Sequence, residues 1–315
     1  MESTKAKTGH RESALGRGDE RPDVMSMPDL FTPIELFREA LGFTSQHHGF
    51  PERLIEKDYV CTVLLEALTA THDGLVFKGG TCLAKVYADF YRMSEDLDFV
   101  IPMPVDAPRS ARSARAKRLK DFVAALPDQF PFVRVVEPLT GANNSTQYNA
   151  VIGYASSLGG RDETIKIEVG LREPLVLPPV DGQAKTILLD PVSREQLVPV
   201  KPVRCISKIE AFAEKFRAAL SRREPALRDF FDLDYAVRTL GLKPDNTELV
   251  ALVHDKIQIL GNDPVDVSAS RLSALRQQVE PQLRPVLRTE DFRAFDLDRA
   301  FGIVAQMANQ LSVRR

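Results

Sequence analysis

Phe77-Lys78-Gly79-Gly80-Thr81 and Met93-Ser94-Glu95-Asp96-Leu97-Asp98-Phe99-Val100-Ile101 contain the residue types needed to handle a polyphosphate. A glycine turn lets backbone N–H groups approach phosphate oxygens. Two carboxylates two residues apart then run into an apolar, strand-forming segment. Residues i and i+2 of a strand share a face, so Asp96 and Asp98 would point together while Leu97 and Phe99 enter the core. Paired hard oxygen ligands suit Mg²⁺ (or Mn²⁺), which in turn binds substrate phosphates. The chemistry implied is metal-assisted nucleotidyl transfer. The alternative is an acidic turn ahead of a strand.

Such a reaction uses a third carboxylate and cations that meet the charge of a triphosphate. In Thr164-Ile165-Lys166-Ile167-Glu168-Val169 the alternation puts Glu168 on a polar face, where it could join Asp96 and Asp98; the plain alternative is an amphipathic strand with a solvated face. Lys215 lies two turns beyond Lys208 and near an apolar stripe of Ile209, Phe212, Phe216 and Leu220, so it could reach a triphosphate, although a solvated lysine is the default. Asp232 follows Arg228-Asp229-Phe230-Phe231 and could orient a basic group or a substrate hydroxyl. Arg109 to Lys120 holds six cations and no acid. Arg112, Arg115 and Arg118 continue an i+3 repeat, which reads either as a ridge for RNA phosphates or as a solvated helix face. Neither the five histidines nor the three cysteines show metal-site or nucleophile spacing.

These residues need elements to hold them. Apolar spacing predicts amphipathic helices between Pro33 and Ala70, a short apolar run at Leu75–Phe77, a helix over Cys82–Phe90 and a strand over Asp96–Ile101. A helix is expected over Arg109–Ala125, with strands at Phe132–Val136, Tyr148–Tyr154 and Thr164–Val169. Pro178–Pro202, with its prolines and Asp181-Gly182, reads as a connection. Ser207-Lys208-Ile209-Glu210 fits a capping box that starts a helix at Lys208 and runs it to Ser221, followed by a helix over Leu227–Leu240 and further helices separated by Pro264, Pro281 and Pro285. The expected division is a polar, disordered tail over 1–28, an α/β (α+β) core with N-terminal helices over 29–190, and a helical domain over 203–315.

A formal net charge of −2 means that nucleic-acid contact would have to come from a local patch. No apolar run long enough for a membrane span and no secretory leader pattern is evident, and the cysteines suit a reducing compartment; the expectation is a cytoplasmic protein without a membrane partner.

In order, Glu56-Lys57-Asp58-Tyr59, Phe77-Lys78-Gly79-Gly80-Thr81, Ser94-Glu95-Asp96-Leu97-Asp98-Phe99, Ile167-Glu168-Val169, Glu214-Lys215 and Arg228-Asp229-Phe230-Phe231-Asp232-Leu233 resemble the AbiEii/AbiGii-type (MenT-type) nucleotidyltransferase toxins. The resemblance implies a DNA-polymerase-β-like core with a mainly helical C-terminal region. It implies metal on Asp96, Asp98 and Glu168, and NTP phosphates on Gly79, Gly80 and Thr81 with Ser94 and Lys215. Asp96, Asp98, Lys215 and Asp232 would form the catalytic set. It further implies transfer from an NTP to RNA, notably the 3′ acceptor end of tRNA, which blocks translation, and a cognate antitoxin encoded nearby. Thr81 departs from the serine common in the wider superfamily, and fourteen residues separate it from Asp96. Two other readings remain: a metal-dependent transferase acting on a protein or small molecule, and a non-catalytic NTP-binding defence protein.

Overall fold

The computed structural model describes residues 33–313 except Glu173 and Leu260; the expected tail over 1–28 lies outside the described residues. The chain opens with α1 (Ile34–His48), closed by Gly49 in the left-handed region, and α2 (Glu52–Thr71). β1 (Val76–Lys78) leads directly into α3 (Gly79–Cys82) and a π-helical turn at Leu83–Tyr87. That helix ends earlier than the apolar spacing predicts, because Asp89 and Phe90 take left-handed φ values of 48° and 57° and turn the chain away. β2 (Leu97–Val100), α4 (Arg109–Ala124), α5 (Leu126–Gln129), β3 (Val133–Ala142), β4 (Gln147–Tyr154) and β5 (Glu163–Gly170) follow.

The stretch expected to be a connection contains a strand, β6 (Val180–Ala184), and the start of β7 (Lys201–Cys205). Asp181-Gly182 is therefore strand and not turn. Gly182 serves close approach: a Cβ there would lie 2.7 Å from Cys205 Sγ and 2.9 Å from Val86 Cγ1.

The seven strands form one mixed sheet in the order β3-β4-β5-β2-β1-β7-β6, with β2–β5 and β1–β7 parallel and the other pairs antiparallel. β3 is an edge strand whose register shifts around Pro138, as expected where a residue cannot donate to the ladder. Leu97, Phe99, Ile165, Ile167 and Val169 are buried on the face covered by α2 and α4. Each contributes roughly 1.5–3 kcal/mol by leaving water. That burial fixes the register, and so fixes which residues occupy the opposite, polar face.

Two residues after β7 the chain enters α6 (Lys208–Ser221), and the Ile206 N–H still bonds to the Phe77 carbonyl at 3.0 Å. Ser207 caps α6 by accepting from the Glu210 N–H. The other half of the capping box is not made. Glu210 is fully buried, and its carboxylate instead accepts from the Val176 and Leu177 N–H groups at 2.9 and 2.8 Å and pairs with Lys256 at 2.8 Å. The remainder is helical: α7 (Leu227–Thr239), α8 (Thr247–Gln258), α9 (Ala269–Arg276), α10 (Thr289–Ala294) and α11 (Leu297–Val313). Pro281 and Pro285 fall inside a π turn and a 3₁₀ turn between α9 and α10. α11 packs on α7 through stacked Phe230 and Phe301 rings and an Arg299–Asp234 ion pair at 2.6 Å. The fold is thus mixed α/β followed by a helical half. No helix among the described residues is long and apolar enough to cross a membrane.

Candidate active site

Register pairing draws one row across four strands on the polar face of the sheet: Lys78 on β1, Asp98 on β2, Glu168 on β5 and Asn149 on β4. Burial of the intervening residues on the other face forces these four to share a side. Burial, then Glu168, and to a smaller extent Asp96, push the Asp98 carboxyl up to about 6, against the opposing pull of Lys78 and Lys215. Surplus negative charge is therefore concentrated here.

Gly79 lies against this row with φ +77°, and a Cβ there would sit 2.7 Å from Asp98 Cβ. Only glycine satisfies both the backbone conformation and the approach. At Gly80 a Cβ would lie 2.6 Å from Arg92 Nη2 and 3.1 Å from Ser94 Oγ, so the turn is seated between Asp98, Arg92 and Ser94. Thr81 is placed differently from its expected phosphate role. It is buried, and its hydroxyl donates to the Asp96 carbonyl, clipping the acidic loop to α3.

The helical half contributes Lys215. Lys215 Nζ lies 2.7 Å from Asp229 and 2.8 Å from Asp232, and is close enough to pull on Asp98. Although burial opposes the charge, Asp229 and then Asp232 keep the ammonium above its ordinary value. Asp232 has no exposed side-chain surface and accepts from Tyr91 Oη (2.6 Å), Arg92 Nε (2.5 Å), Arg92 Nη2 (2.9 Å) and Lys215. Burial would raise its carboxyl, but Arg92 and Lys215 hold it well below the usual range. With all its contacts occupied, Asp232 positions two cations and has no open lone pair for a substrate hydroxyl.

Arg92 escaped the sequence reading. Its partner Asp232 lies 140 residues away, so no local signal in the sequence marks the pair. Glu214 also proves structural, bridging Lys78 at 2.7 Å and Lys256 at 3.1 Å.

Outside the site, Glu56-Lys57-Asp58 on α2 holds its parts in place. Lys57 pairs with Glu95 at 2.8 Å, fixing the residue beside Asp96. Asp58 pairs with Lys85 at 2.6 Å on the π turn after the glycines, and Glu56 accepts from the Ser156 hydroxyl and the Ser157 N–H, each at 2.6 Å.

The basic ridge is narrower than its spacing implies. Arg112 is buried, donating from Nε to the Leu171 carbonyl (3.2 Å) and from Nη2 to the Val105 carbonyl (2.8 Å), because its place in the repeat faces the sheet. Arg115 and Arg118 remain exposed.

Among the described residues no three His, Cys, Asp or Glu side chains already converge on a point that could hold an ion. Glu168 is turned to Lys166, 2.8 Å away. The donor set still suits Mg²⁺ or Mn²⁺, which is commonly held by one or two carboxylates with substrate phosphates and water completing the shell. Asp96 and Asp98 are the residues that would take that part.

A cavity of about 230 Å³ adjoins the row at Lys78 and Glu168 and is lined on the helical side by Glu214 and Arg217 of α6.

The chain resembles two solved structures, each at 16% identity over 84% of its length. One is described as JHP933 from Helicobacter pylori (TM-score 0.49, 94% of that chain covered), the other as a putative nucleotidyltransferase from H. pylori (TM-score 0.48, 97% covered). A comparison with curated proteins gives no match. The family model described as nucleotidyl transferase AbiEii toxin, Type IV TA system, matches residues 63–302, which includes every residue of the row, the glycine turn and the Lys215–Asp232 cluster. By that match the chain belongs to the AbiEii nucleotidyl transferase toxin family.

Proposed function

We propose that this protein is a metal-dependent toxin that transfers a nucleotide from an NTP to RNA, with the 3′ acceptor end of tRNA as the leading acceptor. The observation that carries the reading is the seating of Gly79 against Asp98 in a row with Lys78 and Glu168, with Lys215 reaching in from the helical half. In the transfer, the acceptor hydroxyl oxygen bonds to the α-phosphorus, the bond from that phosphorus to the β-bridging oxygen breaks, pyrophosphate leaves and the hydroxyl proton passes to solvent. A bound Mg²⁺ or Mn²⁺ would supply charge neutralisation on the phosphates. The turn at Gly79 and Gly80 brings backbone close to the triphosphate, Ser94 lies beside it, and Lys215, held by Asp229 and Asp232, faces the negative charge that grows on the leaving group. Type IV family membership supports a cognate antitoxin as a genetic partner.

The pure protein is incubated with tRNA, Mg²⁺ or Mn²⁺ and each labelled NTP, and the RNA 3′ ends are sequenced. Added nucleotides that disappear in Asp98→Asn are the expected result. Label on protein or on a small molecule with unextended RNA would overturn the RNA reading.

A further inference from the structure

The cavity beside the carboxylate row has a built floor. Val100, Gly170 and Gln147 are register partners across β2, β5 and β4, two residues along from Asp98, Glu168 and Asn149. They therefore share the polar face and lie about 7 Å from the row, the span of two strand residues. Gly170 leaves the floor open, and Leu175, Asn143 and Arg217 rise around it. The volume of about 230 Å³ falls below the roughly 300–1,000 Å³ of sites that hold drug-sized ligands, so the cavity suits one ring system and not a whole nucleoside triphosphate.

Position decides which ring. The glycine turn follows β1, whereas most of the floor belongs to β5 and β4, beyond Asp98's own strand β2; Lys78, the last residue of β1, lines the cavity together with its partner Glu214. In phosphoryl transfer the attacking and leaving oxygens lie roughly in line on opposite sides of phosphorus. With the triphosphate on the glycine side, the attacking hydroxyl comes from the Glu168 side, where the cavity opens. Amide and guanidinium groups from Asn143, Gln147 and Arg217, beside the apolar surfaces of Val100 and Leu175, are the means by which an unpaired RNA base is held, by its edge and its face.

From this, and resting on the reading as an RNA nucleotidyltransferase, we infer that the Val100–Gly170–Gln147 cavity binds the terminal base of the acceptor RNA and so sets its 3′ hydroxyl against the carboxylate row. Gly170 gives a direct test, because a Cβ there has ordinary contact with the Phe99 carbonyl oxygen at 3.8 Å and no closer neighbour: Gly170→Val adds bulk to the cavity floor. Gln147→Ala is the second variant should the first fold poorly. The probes are an RNA hairpin with an unpaired 3′ end and the same hairpin ending in an abasic ribose. Affinities are measured for wild type and both variants, alongside NTP affinity.

Wild type is expected to prefer the base-bearing end by roughly tenfold, within the range of base-stacking contributions, and each folded variant to lose that preference while keeping wild-type NTP affinity. A wild type that does not distinguish the two ends overturns the inference. So does a variant that loses NTP affinity in place of RNA preference, which would give the cavity to the incoming nucleotide. Transfer onto the hairpin is scored separately: preference without transfer defeats the nucleotidyltransferase reading and leaves the cavity assignment standing.

Discussion

Asp98 carries the sharpest consequence at the scale of single residues. Its carboxyl is raised from 3.8 to about 6 by burial, Glu168 and Asp96, only partly offset by Lys78 and Lys215, so its ionised form costs stability. The cost is absent below pH 3.8, grows as pH rises and is complete above pH 6. Asp98→Asn should therefore abolish transfer yet stabilise the fold at pH 7.5 by on the order of 1–3 kcal/mol, with the gain vanishing near pH 4; thermal melts across that range measure it. Mg²⁺ or Mn²⁺ should raise the melting temperature of wild type and leave Asp98→Asn unmoved, since an ion that binds only the native site shifts the folding equilibrium. Equal shifts in both proteins would place the ion elsewhere. Lys215 and Arg92 divide their tasks differently. Lys215→Met should cut turnover about a hundred- to thousand-fold, the usual loss when a preorganised donor is removed. Arg92→Met leaves the buried Asp232 short of its main partner and should cost about 3–5 kcal/mol, read as a fall in melting temperature.

Among the elements, the joint from β1 to α3 admits the least change. Gly79→Ala meets both a positive φ and the Asp98 side chain, so it should destroy activity and lower stability together, whereas Gly302→Ala inside α11, where a Cβ meets nothing within 4 Å, should leave activity unchanged and raise stability by about 0.5–1 kcal/mol. The strands β2 and β5 and the start of α6 were legible because period-two alternation and a capping serine are local signals, whereas β1 showed only as a short apolar run. β6 was not legible, since Pro178-Pro179 just ahead of it and Asp181-Gly182 within it mimic a turn and its strand character comes from pairing with β7. At the site, the glycines, Asp98, Glu168, Lys215 and Asp232 could be singled out because chemistry needs their residue types at their spacing. Arg92 depends on a partner 140 residues away, and the burial of Arg112 on the rotation of α4 against the sheet; neither is written in local sequence.

At the scale of the whole molecule, the narrowed basic ridge alters what should bind RNA. Arg115→Ala with Arg118→Ala should weaken tRNA binding and lower the salt slope by about 0.7 for each phosphate no longer neutralised, without affecting NTP affinity. Arg112→Ala should instead lower thermal stability, since it removes a buried guanidinium from the Leu171 and Val105 carbonyls and leaves them unpaired. Binding measured across a salt series separates the two; unchanged salt dependence in the double variant would mean that the ridge only solvates α4.

The packing of α11 on α7 bears on the genetics of such a gene. α11 contributes no group to the carboxylate row or the cation cluster, yet its Phe301 and Arg299 help hold the helix that carries Asp229 and Asp232. A stop codon just ahead of Leu297 would spare every motif residue and still release α7. Among clones selected for survival of an otherwise lethal copy, nonsense and frameshift alleles should therefore accumulate right up to the last seventeen-residue helix, well past the final catalytic motif.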